Sequence, residues 1–457
     1  MKKLLVRTSQ RKSRAHKRSK SRRKSQRKSR AHKLSKSRRK SQRKSRKYKI
    51  SDEEFHENMI RDIIQNQMQN QNNVFRPVNR NELKAAVDAY IDGDRSNGPI
   101  RTWDTSRVTN MSRLFKSHYN FNQDISNWDT SRVTRMDGMF YGAAVFNKPL
   151  DTHTVTRPDG TSYQAWDVSN VTDMSLMFEH ATNFNRPLNN WDTSRVTRMN
   201  SMFYGADYFN QSINTHTVTR PDGTSYQAWD VSNVTNMSFM FEGADSFNRP
   251  LNNWDTSSVT NMAGVFEGAK SFNQDISNWD TSNVTLMSRM FAFMENFDQP
   301  INTHTVTRPD GTSYQAWDVS NVTNMSLMFA YNRNFNESLN NWDTSSVTDM
   351  SNMFEGTNSF NESLNNWDTS SVTDMTMMFS GAKSFKQPLD NWIVSNVTKM
   401  SKMFENAKAM LAKYPNLPRD GDLNPDDWYM YFPRRSKPLK SANKLAIRPV
   451  GLGEGGR

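Results

Sequence analysis

The residues with the most varied chemistry lie in three identical thirteen-residue segments, at 152–164, 215–227 and 303–315. Each segment reads Thr-His-Thr-Val-Thr-Arg-Pro-Asp-Gly-Thr-Ser-Tyr-Gln, so each supplies an imidazole, a guanidinium and a phenol. The Arg-Pro-Asp-Gly stretch is typical of a tight turn, because proline presets φ and glycine adopts positive φ. The pattern therefore predicts a projecting β-hairpin in each segment.

Two interpretations of these hairpins are open. Insertions in repeat proteins fall on one face, which is often the binding face. Under that interpretation each hairpin offers an arginine and a tyrosine to a protein partner, and the predicted partner-binding residues are Arg157, Tyr163, Arg220, Tyr226, Arg308 and Tyr314. Under the other interpretation, recent duplication of a 63-residue block copied an insert that has no function, which the identity of the copies favours.

Other candidate sites have simpler explanations. The insert histidines His153, His216 and His304 recur only because the insert recurs, and their spacing does not bring them to one metal ion. An aspartate follows most repeat tryptophans, from Asp104 to Asp368. These aspartates could be stacked calcium ligands, but an Asx turn formed locally by each of them is the simpler interpretation. The sequence has no cysteine, and it contains no pattern typical of a nucleophile–base pair or of a phosphate-binding loop. We therefore expect no metal site, no cofactor and no catalysis.

The elements that position these segments come from a 25-residue repeat. Eleven tryptophans, from Trp103 to Trp392, each begin a unit, and the three inserts lengthen three intervals to 38 residues. The unit reads Trp-Asp-Thr-Ser-x-Val-Thr-x-Met-x-x-Met-Phe-x-Gly-Ala-x-x-Phe-Asn-x-x-Leu/Ile-x-Asn. A fixed period of this length predicts a repeat solenoid of eleven coils, with Trp, Phe and Met ladders inside.

Within one unit, two patterns predict local structure. Ile125–Trp128 and Val-Thr-x-Met alternate between apolar and polar residues, which predicts short parallel strands. Met-x-x-Met-Phe-x-Gly-Ala predicts a short helical turn that ends at glycine. The asparagine at position twenty, counting tryptophan as one, predicts a hydrogen-bonded ladder.

This repeat resembles the BspA-type leucine-rich-repeat surface proteins, including the arrays of mycoplasma lipoproteins; similar arrays occur in giant DNA viruses. The resemblance covers roughly residues 81–410 and rests on the Trp-Asp-x-Ser-x-Val-Thr-x-Met-x-x-Met-Phe-x-Gly-Ala-x-x-Phe-Asn string. It implies an LRR-like solenoid used for adhesion and protein binding, without catalysis. The chain departs from the surface proteins in having no lipobox cysteine and no recognisable signal peptide. We therefore favour an intracellular (nuclear) or virion location over secretion.

Charge divides the chain into two parts. Residues 1–51 contain 25 Lys/Arg and no Asp/Glu, which leaves 36 basic and 46 acidic residues and a net charge of −10 for the rest. Such a tail is expected to be disordered and to bind nucleic acid or another polyanion through counterion release. The predicted polyanion-binding residues are Arg22, Arg23, Lys24, Arg38, Arg39 and Lys40. A solubilising or nuclear-localisation tail, or contact with an anionic membrane, is the alternative.

The chain is therefore predicted to contain four parts. A disordered Lys/Arg/Ser-rich tail spans 1–50, a helical lead-in and N-terminal cap 51–100, the solenoid 101–410, and a C-terminal cap with a flexible end 411–457. The expected function is a non-enzymatic scaffold that binds protein through the solenoid and a polyanion through the tail. The alternative is a structural or packaging protein, for example of a large DNA virus, that self-associates through the array and condenses nucleic acid through the tail. No stretch is long and apolar enough to predict a transmembrane segment.

Overall fold

The computed structural model describes Ile60 and residues 74–433, except positions 158, 221 and 421. Helix α1 spans Arg80–Ile91, where the side-chain oxygen of Asn79 accepts hydrogen bonds from the first-turn amides. Its buried face includes Leu83 and Tyr90, and the Tyr90 ring meets the first repeat tryptophan, Trp103, edge-on at 5.7 Å. The helix predicted within the lead-in at 51–100 is thus confirmed at Arg80–Ile91, and it packs on the first repeat.

Three antiparallel hairpins provide all the strands among the described residues. They are β1 and β2 (His153–Thr156, Ser162–Ala165), β3 and β4 (His216–Thr219, Ser225–Ala228), and β5 and β6 (His304–Thr307, Ser313–Ala316). In the first, Val155 pairs with Tyr163, and the Arg157 amide donates to the Thr161 carbonyl at 2.7 Å across the turn. The hairpins predicted from Arg-Pro-Asp-Gly are confirmed.

Consecutive repeats are joined by backbone hydrogen bonds rather than by continuous strands. Position eight of each repeat forms a single parallel β-bridge with position eight of the next, as Asn110 does with Arg135. This series runs unbroken from Asn110 to Lys399. Next to this bridge, the threonine amide at position seven donates to the carbonyl of the same threonine in the preceding repeat, as Thr134 does to Thr109 at 2.8 Å. Every repeat is therefore held directly on its neighbour.

The segment predicted as a short helical turn is not helical. Positions eleven and fifteen adopt positive φ in every repeat, as Gly138 (57°) and Gly142 (69°) do in the second. The Met139 amide donates to the Met136 carbonyl at 3.1 Å, which with positive φ at the third residue defines a type II turn. Between these turns, amides donate to the next repeat, as Gly138 does to Ser175 at 2.8 Å. The prediction was wrong because these amides bond to the neighbouring repeat instead of to the carbonyl four residues earlier.

The strand predicted at Ile125–Trp128 is also absent. The Trp128 amide donates to the Ile125 carbonyl at 3.1 Å, which closes a turn. Two other local predictions are confirmed. The Ser131 amide donates to Oδ1 of Asp129 at 3.2 Å, an Asx turn that recurs along the array, and the Asn147 amide donates to Oδ1 of Asn122 at 3.0 Å in the asparagine ladder.

Ladders of identical side chains fill the interior. Trp342 and Trp367 stack with ring centroids 6.1 Å apart, and Phe140 and Phe178 with centroids 5.4 Å apart. The C-terminal segment extends the tryptophan ladder, because Trp428 is buried and stacks on Trp392 at 6.3 Å. That segment contains helix α2 (Lys408–Lys413) and helix α3 (Trp428–Tyr431), with a short 3₁₀ turn at Pro425–Asp427 just before α3. A second 3₁₀ turn, Ile100–Thr102, lies just before the first repeat.

Candidate functional site

The arginine and tyrosine of each hairpin contact each other and the preceding repeat. In the first hairpin the Arg157 guanidinium lies over the Tyr163 ring, 4.2 Å from its centroid, and its Nη2 is 3.4 Å from Oδ2 of Asp129. Arg220 and Arg308 repeat both distances. A guanidinium placed between an aromatic face and a carboxylate gains cation–π and ionic attraction together. The same triad therefore fastens all three hairpins to the repeat before them.

The tyrosine hydroxyls complete this attachment. Tyr226 donates to the carbonyl of Asn190 at 2.6 Å, and Tyr163 and Tyr314 donate to the carbonyls of Asn127 and Asn278. Burial raises the pKa of Tyr226 to about 12, and it raises the pKa of Tyr163 and Tyr314 as well. The hydroxyls therefore stay protonated and keep donating at any physiological pH.

Each predicted arginine and tyrosine pair thus has a structural contact within the chain. The arginine side chains nevertheless remain 36–39% exposed, so one side of each guanidinium still reaches solvent. A role in binding a partner stays a prediction. The sequence analysis did not identify their carboxylate partners Asp129, Asp192 and Asp280. Nearly every repeat has an aspartate directly after its tryptophan, and these three differ from the others only because their repeats end in an insert.

The opposite face of each hairpin is open. Thr154 and Gln164 lie on this outer face of the first hairpin, where Nε2 of Gln164 donates to Oγ1 of Thr154 at 2.9 Å. At the exposed tip, Thr161 donates to the Asp159 carboxylate, and these hydrogen bonds lower the pKa of Asp159. The tip and outer face are therefore ordered by internal hydrogen bonds and accessible to a partner.

Two polar clefts lie against the inner faces of the hairpins. The larger, about 290 Å³, separates the outer face of hairpin one from the inner face of hairpin two; Thr154 and Gln164 form one wall, and Val218 and Tyr226 the other. The smaller, about 230 Å³, lies under the third hairpin against repeat residues that include Asp255. No other hairpin faces the third in this way, because the third hairpin follows the second by three repeats, whereas the second follows the first by two.

The remaining predicted sites have different outcomes. The rings of His153, His216 and His304 contact the carbonyls two residues before them. Within the described ranges, no group of acidic, histidine or cysteine side chains is arranged to hold a metal ion. Arg22, Arg23, Lys24, Arg38, Arg39 and Lys40 lie outside the described residues. In the same described part, no helix combines the length and hydropathy that a membrane span needs.

These observations define a repeat protein whose only strand pairs are three inserted hairpins, within the residues described. The chain belongs to the family described as Mycoplasma protein of unknown function, DUF285, whose sequence profile matches residues 81–162, 159–227, 219–314 and 306–416. The predicted resemblance to mycoplasma repeat arrays is confirmed at this level. Comparison with curated proteins and with solved structures found no match.

Proposed function

We propose that this chain is a non-enzymatic protein-interaction scaffold of the BspA-type leucine-rich-repeat kind. In this proposal eleven coils with short parallel pairings form a solenoid, and the N-terminal tail binds nucleic acid or another polyanion inside the cell or in a virion. The observation that carries it is the repeated attachment of three hairpins by the same triad, which leaves three tips of identical sequence exposed. Ordered, accessible loops on a rigid scaffold are common binding elements.

Removing the hairpins tests the protein-binding part. Deleting 152–164, 215–227 and 303–315 together restores a 25-residue interval throughout and leaves every repeat complete. We expect this variant to keep the far-UV spectrum of stacked repeats and to lose the proteins that the full chain captures by affinity. A folded variant that retains the same partners would contradict the proposal.

The tail is tested separately. We expect DNA retention by the full chain to weaken steeply between about 50 and 200 mM salt, and to vanish when residues 1–50 are removed. Retention that persists without the tail would contradict a polyanion-binding tail.

The alternative, a packaging protein that self-associates through the array, makes a further prediction. It is favoured if light scattering shows concentration-dependent assembly of the chain with and without its tail. A monomer in both forms favours the scaffold.

A further inference from the structure

The first four repeats, residues 103–228, carry a basic charge that the other seven lack. At positions five and eight these four repeats have five arginines and one aspartate, Asp173. At the same two positions the seven later repeats have two aspartates, one lysine and no arginine. We call the five arginines together the arginine surface; they are Arg107, Arg132, Arg135, Arg195 and Arg198.

The arginines form two neighbouring columns along the stack of repeats. Position eight makes the parallel bridges between repeats, so its residues follow one another along the array. Position five forms a column as well, since Nη1 of Arg195 donates to Oδ1 of Asn170, the position-five residue of the preceding repeat, at 2.6 Å. In the second repeat Arg132 and Arg135 flank Thr134, and all three residues are exposed. The two columns therefore present guanidinium groups to solvent on the same part of the surface.

The carboxylates that pair with these arginines neutralise only part of their charge. Nη2 of Arg135 is 2.9 Å from Oδ1 of Asp137, and Arg135 and Arg198 each lie 3.9 Å from Oδ2 of Asp173. The two aspartate side chains are 10% and 13% exposed, whereas the two arginine side chains are 53% and 56% exposed. Within the described part of the chain, Arg132 forms no ion pair. A ligand approaching this surface therefore meets guanidinium groups before it meets carboxylates.

Stacking of the repeats does not require these arginines. The seven later repeats have serine or asparagine at position five, and they form the same parallel bridges. The seventh repeat has Asn283 and Leu286 at the two positions although its insert is identical, so the arginines do not simply accompany the insert. Like charges on neighbouring repeats, such as Arg107 and Arg132, also repel each other and cost stability. The stability of the fold therefore does not account for the arginine surface.

We infer that the arginine surface binds a short acidic segment of a protein partner. A guanidinium group fits a carboxylate through two parallel hydrogen bonds. The surface covers four repeats, or about 14 Å at the spacing of paired strands, which an extended chain spans with about four or five residues. The inference extends the proposed protein binding to a second surface. Because exposed ion pairs are individually weak, this contact adds to binding by the hairpins and does not replace it.

Length and charge favour a short acidic segment over a nucleic acid. A nucleic acid binds by placing many phosphates on basic groups along its length. Beyond the fourth repeat it would meet no further arginine at these positions and then Asp349 and Asp374 at position eight. Residues 52–457 as a whole carry a net charge of −10, which repels a long polyanion. An acidic segment of about four or five residues ends before that part of the array.

Arginine footprinting of the full chain tests the inference. Phenylglyoxal modifies accessible guanidinium groups, and mass spectrometry measures the rate of modification at each arginine. We expect an excess of pentaglutamate to slow the modification of Arg132, Arg135, Arg195 and Arg198 severalfold. Arg249, which is exposed at position twenty-one of the fifth repeat, should react at the same rate with and without the peptide. Because each arginine is measured separately, peptide bound to the basic tail does not obscure the result.

Substitution at position five tests the surface without disturbing the ion pairs at position eight. Arg132→Ser and Arg195→Ser, made together, introduce the residue that three later repeats have at this position. This variant should unfold at the temperature of the wild type. The peptide concentration that half-protects Arg135 and Arg198 should rise roughly fivefold, the loss expected for two exposed ion pairs.

The matched control is Arg186→Gln with Arg249→Gln, which also removes two exposed arginines and introduces the glutamine that five repeats have at position twenty-one. Pentaglutamate should protect the arginine surface of this control as it does that of the wild type. Three outcomes would overturn the inference: no protection in the wild type, unchanged protection in the position-five variant, or equal loss in the control. An oligothymidylate that protects the same arginines more strongly than pentaglutamate would assign the surface to nucleic acid and also overturn it.

Discussion

Glu242 shows how stacking identical repeats changes the acid–base behaviour of one residue. Burial, the largest cause, and the negative charge of Glu267 together raise the pKa of Glu242 to about 7, although a hydrogen bond with Tyr204 lowers it. These residues occupy the same position of neighbouring repeats, so any acid recurring there meets its own copy. The repulsion between the Glu242 and Glu267 carboxylates cannot be predicted from the sequence of one repeat, because it arises only when repeats stack.

The raised pKa of Glu242 gives a prediction about stability. In the unfolded chain this carboxyl ionises near 4.5, but in the folded chain only near 7, so the folded protein holds the proton more tightly. Its contribution to stability is therefore fully present below pH 4.5 and is lost as pH rises through 7. Because the side chain is only half-buried, solvent screening leaves a loss of about 1 kcal/mol.

Thermal unfolding of the wild type and Glu242→Gln at pH 5 and pH 8 measures this loss. The variant should reduce the fall in unfolding temperature between the two pH values. Glu267→Gln should reduce it partly, because it removes the neighbouring negative charge. An identical fall in all three proteins would contradict this account.

At the scale of the element, each hairpin is positioned by a few contacts and not by its strands alone. An isolated two-stranded hairpin is at best marginally stable in water. Here the Tyr226 hydroxyl and the Arg220 guanidinium connect β3 and β4 to the preceding repeat at Asn190 and Asp192. The hairpin should therefore loosen when these contacts are removed, even though its own turn and strand pairing remain.

Tyr226→Phe tests this attachment by removing one hydroxyl. We expect the free energy of local opening to fall by about 0.5–1.5 kcal/mol, the net worth of one hydrogen bond. Hydrogen exchange of the amides in β3 and β4 should become correspondingly faster, while β1 and β2 stay unchanged. Thr217→Ala is the matched control, because it removes only the exposed bond from Gln227 on the outer face. Equal effects of the two substitutions would show that the tyrosine does not position the hairpin.

The sequence predicted those elements whose residues determine their own geometry. Arg-Pro-Asp-Gly forms its turn, and Asp129 forms its Asx turn, because both depend on bonds within a few residues. The turn at position eleven could not be predicted, because residues such as Arg113 and Leu176 adopt positive φ there, where only glycine would have indicated it. Hydrogen bonds to the next repeat offset their strain of roughly 1–2 kcal/mol. The conformation of one repeat thus depends on its neighbour.

For the same reason the sequence did not indicate that Phe293 and Tyr331, which occupy position fifteen of neighbouring repeats, have exposed side chains. Both resemble ordinary apolar residues within an apolar unit. Their exposure becomes evident only once position fifteen is known to point outward, which requires the unexpected turn geometry. The core ladders were predictable, because burying the repeated tryptophans and phenylalanines requires neighbouring units.

At the scale of the whole molecule, the stability of a deletion variant should depend on whether the deletion keeps the 25-residue period, and less on how many residues are removed. Each repeat bonds mainly to the repeats before and after it, so the array behaves as a one-dimensional stack. Deleting residues 254–278 removes one complete unit and joins Asn253 to Trp279, so Trp279 should stack on Trp229. We expect this variant to fold with the wild-type ellipticity per residue and an unfolding temperature only slightly lower.

Deleting residues 254–265 instead removes a shorter piece and shifts every later position out of phase. The tryptophan, phenylalanine and methionine ladders then cannot continue across the junction. Removing one buried aromatic side chain typically costs about 3–5 kcal/mol, and here several aromatic side chains lose their buried positions together. Circular dichroism and tryptophan fluorescence should therefore show partial unfolding, although this deletion is the smaller one. If the shorter deletion were tolerated as well as the complete repeat, the ladders would not be what holds the repeats together.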